Sequence, residues 1–373
     1  MKKHASSRAR VMAALLVFFA LAFLIPALQT GSSVLWSLTI AVPAAMLILL
    51  LFPARVFFLD KSSLSSALTL CGLGIMASSG ISPDAALSQS LRCVSAVIFL
   101  FAGAVMSRSF RPSIPAAVLV SLFALGMIAF PLVSGSSVSL LDGGLALLMF
   151  ALVSFFSLRS CLPGLAFAFV GLLLLLLQQE IIAAAVWGLC TVLLFWVASG
   201  RGLWTWIAFG TFCAVFAVYL GIFFHPSGIA FEPFLPRISA LPLIVPEPAN
   251  LSEASSGSLY LLLGSHYGGI VLFCVPLLLS LILLRGASVA SHARKSFHAA
   301  LAFGTVLLLG LRTISVLLML TDLLPLSAGC FPLLTDYVPQ MFADFFLLGI
   351  LSGISSRNEA DLLEDARLSM LAR

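Results

Sequence analysis

The chain has 373 residues, of which 61% are hydrophobic and 9% charged, with a mean hydropathy of +1.18 and a formal net charge of +5. Ordinary soluble domains carry about 25% charged residues, so this composition excludes one and makes lipid the main solvent. Apolar runs recur to the last residues, so no single cleavable signal accounts for them, and the basic residues are scattered between the runs instead of forming a nucleic-acid patch.

In chain order, runs long enough to span a bilayer, or nearly so, fall at about 11–29, 34–53, 63–78, 91–107, 113–133, 143–157, 161–177, 180–198, 202–223, 258–284, 297–321 and 338–354. A spanning helix needs ~20 residues. Barrel strands would instead alternate apolar and polar residues over ~10 positions, which these runs do not do. The expectation is an all-α, polytopic transmembrane bundle of about twelve helices. With the N-terminus inside, the inner segments hold Lys2, Lys3, Arg8, Arg10, Arg55, Lys61, Arg108, Arg111, Arg159, Arg201, Arg285, Arg294, Lys295, Arg357, Arg367 and Arg373, or 16 of the 19 basic residues. That bias supports twelve spans with both termini cytoplasmic. Arg92, Arg237 and Arg312 are the exceptions.

Residues 224–257 form a long Pro- and Ser-rich segment carrying Glu232, Glu247 and Glu253, which parity places outside. Segments of that length without helical pattern are usually functional or disordered. Residues 357–373 interleave Leu362, Leu363 and Leu371 with charge, the pattern of an interfacial or partner-docking helix, or of a solvated tail. The seven cysteines lack metal-ligand spacing and read as small packing residues. There is no Gly-rich phosphate loop and no HExxH.

The stretch "DLLPLSAGCFPLLTDYVPQMFADFFLLG" (322–349) carries Asp322, Asp336 and Asp344 through one of the most apolar regions. Acids within membrane spans face a cavity, a partner or a pathway. Asp322 and Asp336 bracket an outer loop and are inexpensive to keep charged at an interface. Asp344 lies about two turns into the last helix, where it either pairs with Arg312 or faces a cavity. Arg312 lies mid-helix and needs a carboxylate or an anion. Glu180 opens a helix and gains from its dipole whether or not it has another role. Arg92 begins a helix on the outer side, as an anchor or a ligand group.

From Leu324 and Pro325 onward the same stretch resembles the last signature of the SEDS family (shape, elongation, division and sporulation), where "LLP" precedes "TGxxLPFVSYGGSS" and a helix ending "ALGLLLSI". Pro332, Thr335, Phe345 and Gly349 fall on matching positions, and Asp344 takes the family's Asn position. Residues 77–92, "ASSGISPDAALSQSLR", are similar to its first outer loop. "LLLLLLQQEIIAAAVWGLCTVLLFWVASG" (172–200) is similar to "LLQPDLGTALVLLLIGLVLLFVAG", with Glu180 at the acid. "SHARKSFHAALAFGTVLLLGLR" (291–312) is similar to "RARDPFGRLLAAGIAALLGLQ". "VPEP" (245–248) and "GSHYGGIVL" (264–272) flank the long loop as "LPEAHTD" and "GEELGFVG" do in the family, with His266 at one of its acids. The resemblance divides the chain into two additional N-terminal helices (1–62), a SEDS-like ten-helix core with its outer loop (63–356) and a cytoplasmic tail (357–373).

The resemblance implies a multi-pass protein of the bacterial cytoplasmic membrane that polymerises peptidoglycan glycan strands from lipid II at the outer leaflet, beside a class B penicillin-binding protein. It implies no cofactor, with a divalent cation at the pyrophosphate left open, and no nucleic acid. The chemistry asks for a carboxylate beside the acceptor hydroxyl and positive charge near the departing pyrophosphate. The family's loop Asp has no counterpart here, and Glu253 is the acid between the flanking matches that is able to substitute; a solvated loop glutamate is the alternative. Arg92, Glu180, Arg237, Arg312, Asp336 and Asp344 complete the candidate site, expected as an outward cavity roofed by 224–257. Asp336 to Gln340 replace the family's glycine pair and serines. That departure keeps open a scaffold without catalysis, bound to a transpeptidase or divisome. An O-antigen-polymerase-like or flippase protein is a more distant alternative.

Overall fold

The computed structural model describes residues 2–56, 61–135, 139–200, 202–223, 258–320 and 330–371. They form thirteen helices: α1 (Lys2–Thr30), α2 (Ser33–Val56), α3 (Lys61–Ser79), α4 (Pro83–Ser109), α5 (Ile114–Ser134), α6 (Leu141–Ser157), α7 (Cys161–Leu177), α8 (Ile181–Ser199), α9 (Gly202–Phe223), α10 (Ser258–Tyr267), α11 (Gly269–Ser291), α12 (Ser296–Leu320) and α13 (Val338–Leu371). No strand occurs among the described residues; Phe331 and Leu334 make one isolated bridge. Hydrocarbon offers the backbone no hydrogen bonds, and helices satisfy their own. Eight helices are long and apolar enough to cross a membrane, and 13–28, α6 and α7 are shorter apolar helices.

Each of the twelve apolar runs lies on a helix, with two adjustments. The run 258–284 is broken into α10 and α11 at Gly268, whose φ of +83° suits glycine and interrupts the helix. The helix containing Arg92 starts at Pro83, eight residues earlier than the run. Ser82 caps it by accepting the Ala85 N–H at 3.1 Å, Pro83 takes the first turn and Asp84 meets the dipole. Arg92 is therefore about 13 Å along α4 instead of at its start.

The tightest seam joins α4 to α13. A Cβ on Gly103 would collide with the Phe346 carbonyl, one on Gly349 with the Leu100 carbonyl, and one on Gly353 with Ser107. Small residues at such spacing let two backbones touch, and lipid supplies no hydrophobic drive to replace that contact. Around the seam lie two continuous cores. One joins α1–α4 to α10, α11 and residues 331–334; the other joins α5–α8 to α12 and residues 346–354 of α13. The short helix α6 is buried along nearly its whole length, from Leu141 to Phe156, so it is a central post. Helix α9, packed against α8, is peripheral, exposing Leu203, Trp204, Trp206 and Val218. Its Phe212 ring fills the space left by Gly188 on α8. Helix α13 runs without interruption through residue 357 to Leu371, about 51 Å in all, well beyond a ~30 Å hydrocarbon core.

Candidate functional site

The segment 330–337 connects to α13 by dipping into the bundle. Phe331, Leu333, Leu334 and Thr335 are buried, so every polar backbone group there needs a partner. The Leu334 N–H reaches the Phe331 carbonyl at 3.1 Å. Leu333, at φ +66°, donates its N–H to Asp344 Oδ2 at 2.9 Å. Gln89 Nε2 donates to the Thr335 carbonyl at 2.8 Å and Arg92 Nη1 to the Asp336 carbonyl at 2.9 Å, so α4 grips the loop twice. Gln340 Nε2 donates to the Cys330 carbonyl at 3.2 Å. Tyr337 Oη donates to the Ser139 carbonyl and accepts the Ser139 N–H, both at 2.6 Å, which ties the loop to the start of α6.

Beside this loop is a charge cluster. Arg312, eight residues before the end of α12, places Nη2 2.5 Å from Asp142 Oδ1 and Nη1 3.4 Å from Asp344 Oδ1. The Asp344 side chain is wholly inaccessible, that of Arg312 is 11% exposed and that of Asp142 is 19% exposed. Arg312 thus bridges a locked carboxylate and a partly open one, and a buried guanidinium is tolerable only with such partners. Glu180, at the N-cap of α8, makes no side-chain cap bond. Partial enclosure raises its pKa above the ordinary glutamate value, and the charge of nearby Asp142 raises it further.

The structure brings Arg312 to Asp344, Arg92 to the backbone of Asp336, and Glu180 into the electrostatic reach of Asp142. Arg237, Asp322, Glu253 and the whole 224–257 loop lie outside the described residues, as does the His266 side chain. Asp142 was missed in the sequence, where it stands one residue before an apolar run with nothing to mark its partner 170 positions away. Its only local sign is an acid in the first turn of a helix. Among the described residues no three His, Cys, Asp or Glu side chains converge on a possible metal position. A cavity of about 240 Å³ lies elsewhere, between α7, α8 and α9, lined by Trp187, Thr191, Phe212 and mostly apolar neighbours.

No family model matches the chain. Two curated relatives, each described as a probable peptidoglycan glycosyltransferase FtsW, from Geobacter metallireducens and Geobacter sulfurreducens, are 30% identical over 107 residues, which is 29% of this chain. The match spans 28% and 29% of those relatives' own lengths. In three dimensions the chain is similar to a point mutant of the rod-shape-determining protein RodA of Thermus thermophilus, with a TM-score of 0.59 at 14% identity, covering 80% of this chain and 97% of that one. Fold and site together define a multi-pass helical protein of the bacterial inner membrane, with a charged cluster beside a loop tucked into one end of the bundle. The chain is similar to FtsW over part of its sequence and shares the fold of RodA, which supports a divergent relative of the SEDS proteins.

Proposed function

We propose that this protein works in cell-wall synthesis by polymerising peptidoglycan glycan strands from lipid II at the outer leaflet, in company with a class B penicillin-binding protein. The observation that carries the reading is where the ionisable groups gather. Asp142, Glu180, Asp344 and Arg92 come from the N-terminal parts of α6, α8, α13 and α4, or the turn before them, and Arg312 from the C-terminal part of α12. The alternation of helices supports those ends lying on one side, and the distribution of Lys and Arg supports its being the outer one. The SEDS relatives support the substrate class. The test is whether purified full-length protein in liposomes, alone and with a class B penicillin-binding protein, extends labelled lipid II. Long glycan products are expected, and their absence with every partner tried overturns the reading.

A scaffold without catalysis is the second reading, favoured by one observation. Arg312 already has carboxylates on two sides, so its charge is internally balanced and not held free for an anion. A protein that binds the transpeptidase but yields no polymer fits the scaffold instead.

A further inference from the structure

We propose that the cavity between α7, α8 and α9 is a binding site for one acyl chain of an anionic phospholipid, whose phosphate sits at the Arg159 end of those helices. The site is independent of the polymerase reading and of the charged cluster, which gathers toward the opposite end of α8.

The cavity follows from how the three helices meet. Helices α7 and α9 each pack against α8, and about 240 Å³ is left between them. Phe169 of α7 and Thr211 of α9 line it and are themselves exposed, so it opens toward lipid. Phe169, Thr191 and Thr211 lie roughly 12–14 Å from the Arg159 end of their helices. That depth is close to the middle of a ~30 Å hydrocarbon core. Head groups do not reach it, and hydrocarbon chains do.

The wall offers nothing to water. Its three polar side chains are already engaged. Trp187 Nε1 donates to the Ala168 carbonyl of α7 at 3.0 Å, Thr191 Oγ1 to the Trp187 carbonyl at 2.9 Å and Thr211 Oγ1 to the Ile207 carbonyl at 2.9 Å. A buried water needs several polar partners, and no side-chain donor of the wall remains to supply one. Size excludes a partner helix, because one turn with its side chains, about 10 Å wide and 5.4 Å long, fills roughly 400 Å³. An apolar cavity of ~150 Å³ takes up benzene, so this one accommodates about ten carbons of a chain.

The head-group half of the argument comes from the near end of the same helices. Arg159 is exposed in the turn between α6 and α7, and in the sequence Arg201 separates α8 from α9. Trp196, Trp204 and Trp206 are exposed within roughly 6 Å of that end, which is where indoles settle at a membrane–water boundary. Between residues 143 and 231 the sole acid is Glu180, at the opposite end of α8, so no acid of α7, α8 or α9 offsets the two arginines. Two basic residues at a membrane surface favour an anionic lipid over a neutral one roughly tenfold or more. A phospholipid of that leaflet therefore sets its phosphate beside the arginines and the deep half of one chain in the cavity.

The test places the full-length protein in phosphatidylcholine vesicles containing phosphatidylglycerol. Bromine is carried on one lipid at a time, either midway along an acyl chain or beside its carbonyl. Trp187 emission is read as the difference between wild type and Trp187→Phe, with elution and thermal unfolding as checks on folding. Mid-chain bromine on phosphatidylglycerol is expected to quench it roughly twofold more than bromine beside the carbonyl. The same excess is expected over mid-chain bromine on phosphatidylcholine at equal mole fraction. Thr191→Phe fills the cavity and is expected to abolish the excess, while R159Q/R201Q brings phosphatidylglycerol down to the phosphatidylcholine level. An excess that survives Thr191→Phe, or that wild type does not show, overturns the site. Equal quenching by the two lipids overturns the anionic head group. Recovery of emission on adding an equal fraction of an unbrominated polyprenyl diphosphate overturns the phospholipid and assigns the cavity to a polyprenyl chain. Should Trp187→Phe fail to fold, W36F/W196F/W204F/W206F leaves Trp187 as the sole tryptophan and gives the same comparison.

Discussion

Replacing Arg312 by Gln leaves Asp344 in a fully enclosed position without its cation. Breaking a buried pair from one side typically costs about 3–5 kcal/mol. Two features of the site reduce that figure. Asp344 keeps the Leu333 N–H at 2.9 Å, and Asp142, with its side chain 19% exposed, can hydrate. A loss of about 3 kcal/mol is therefore expected. Asp344→Asn is expected to stay within about 1 kcal/mol of wild type, because an amide oxygen still accepts the Leu333 N–H and Arg312 retains Asp142. The double variant R312Q/D344N restores neutral partners. Gln ends the family segment that Arg312 ends here, and Asn is the family residue at the position of Asp344. Polar contacts between membrane helices average about 0.6 kcal/mol, so the double variant should recover roughly 2 kcal/mol relative to R312Q. The measurement is reversible unfolding in mixed micelles, followed by tryptophan fluorescence and analysed as a double-mutant cycle. A double variant no more stable than R312Q refutes the idea that this guanidinium carries the enclosed acid.

Gly349→Ala drives a methyl into the Leu100 backbone and is expected to cost at least the 1–3 kcal/mol of ordinary overpacking, seen as loss of a monodisperse elution peak. Tyr337→Phe removes both 2.6 Å bonds to Ser139 and is expected to lower stability by about 1–2 kcal/mol and speed proteolysis near residue 139. Deleting residues 359–373 removes only the part of α13 beyond its apolar span and should leave insertion and thermal unfolding unchanged. Cysteine labelling at position 253 from outside intact cells is expected, and labelling only after permeabilisation refutes the orientation.

The helices were readable because hydrocarbon leaves the backbone one local solution, and window hydropathy reports where it applies. The division at Gly268 was hidden inside an apolar run, where a glycine with φ of +83° resembles any other small residue. The early start of α4 was legible in Ser82-Pro83-Asp84, a capping signal that polar composition disguised as loop. Pairing of Arg312 with Asp344 was anticipated because each lacks a bearable solitary state in lipid. Asp142 carried no such warning: an acid at a helix start is ordinary, and only the packing of α6 against α12 turns it inward. Nor does any pattern reveal that Gln89 and Arg92 grip a loop some 245 positions later through its carbonyls. Such contacts depend on backbone placement and leave no mark in residue type.

The loop at 330–337 also has a history in time. Three of its bonds are local, from Leu334 to Phe331, from Gln340 to Cys330 and from Leu333 to Asp344, spanning no more than 11 residues. Closing so short a segment takes about 10–100 ns, far faster than a ribosome adds one residue. The loop can therefore take shape as α13 emerges, after the other described helices, already carrying its own carboxylate latch. Gln89 and Arg92 entered the membrane some 240 residues earlier, and their bonds to the loop form only when it arrives. On this schedule α13 closes one end of the bundle as a preassembled stopper, and the charged site exists only once synthesis has reached that helix.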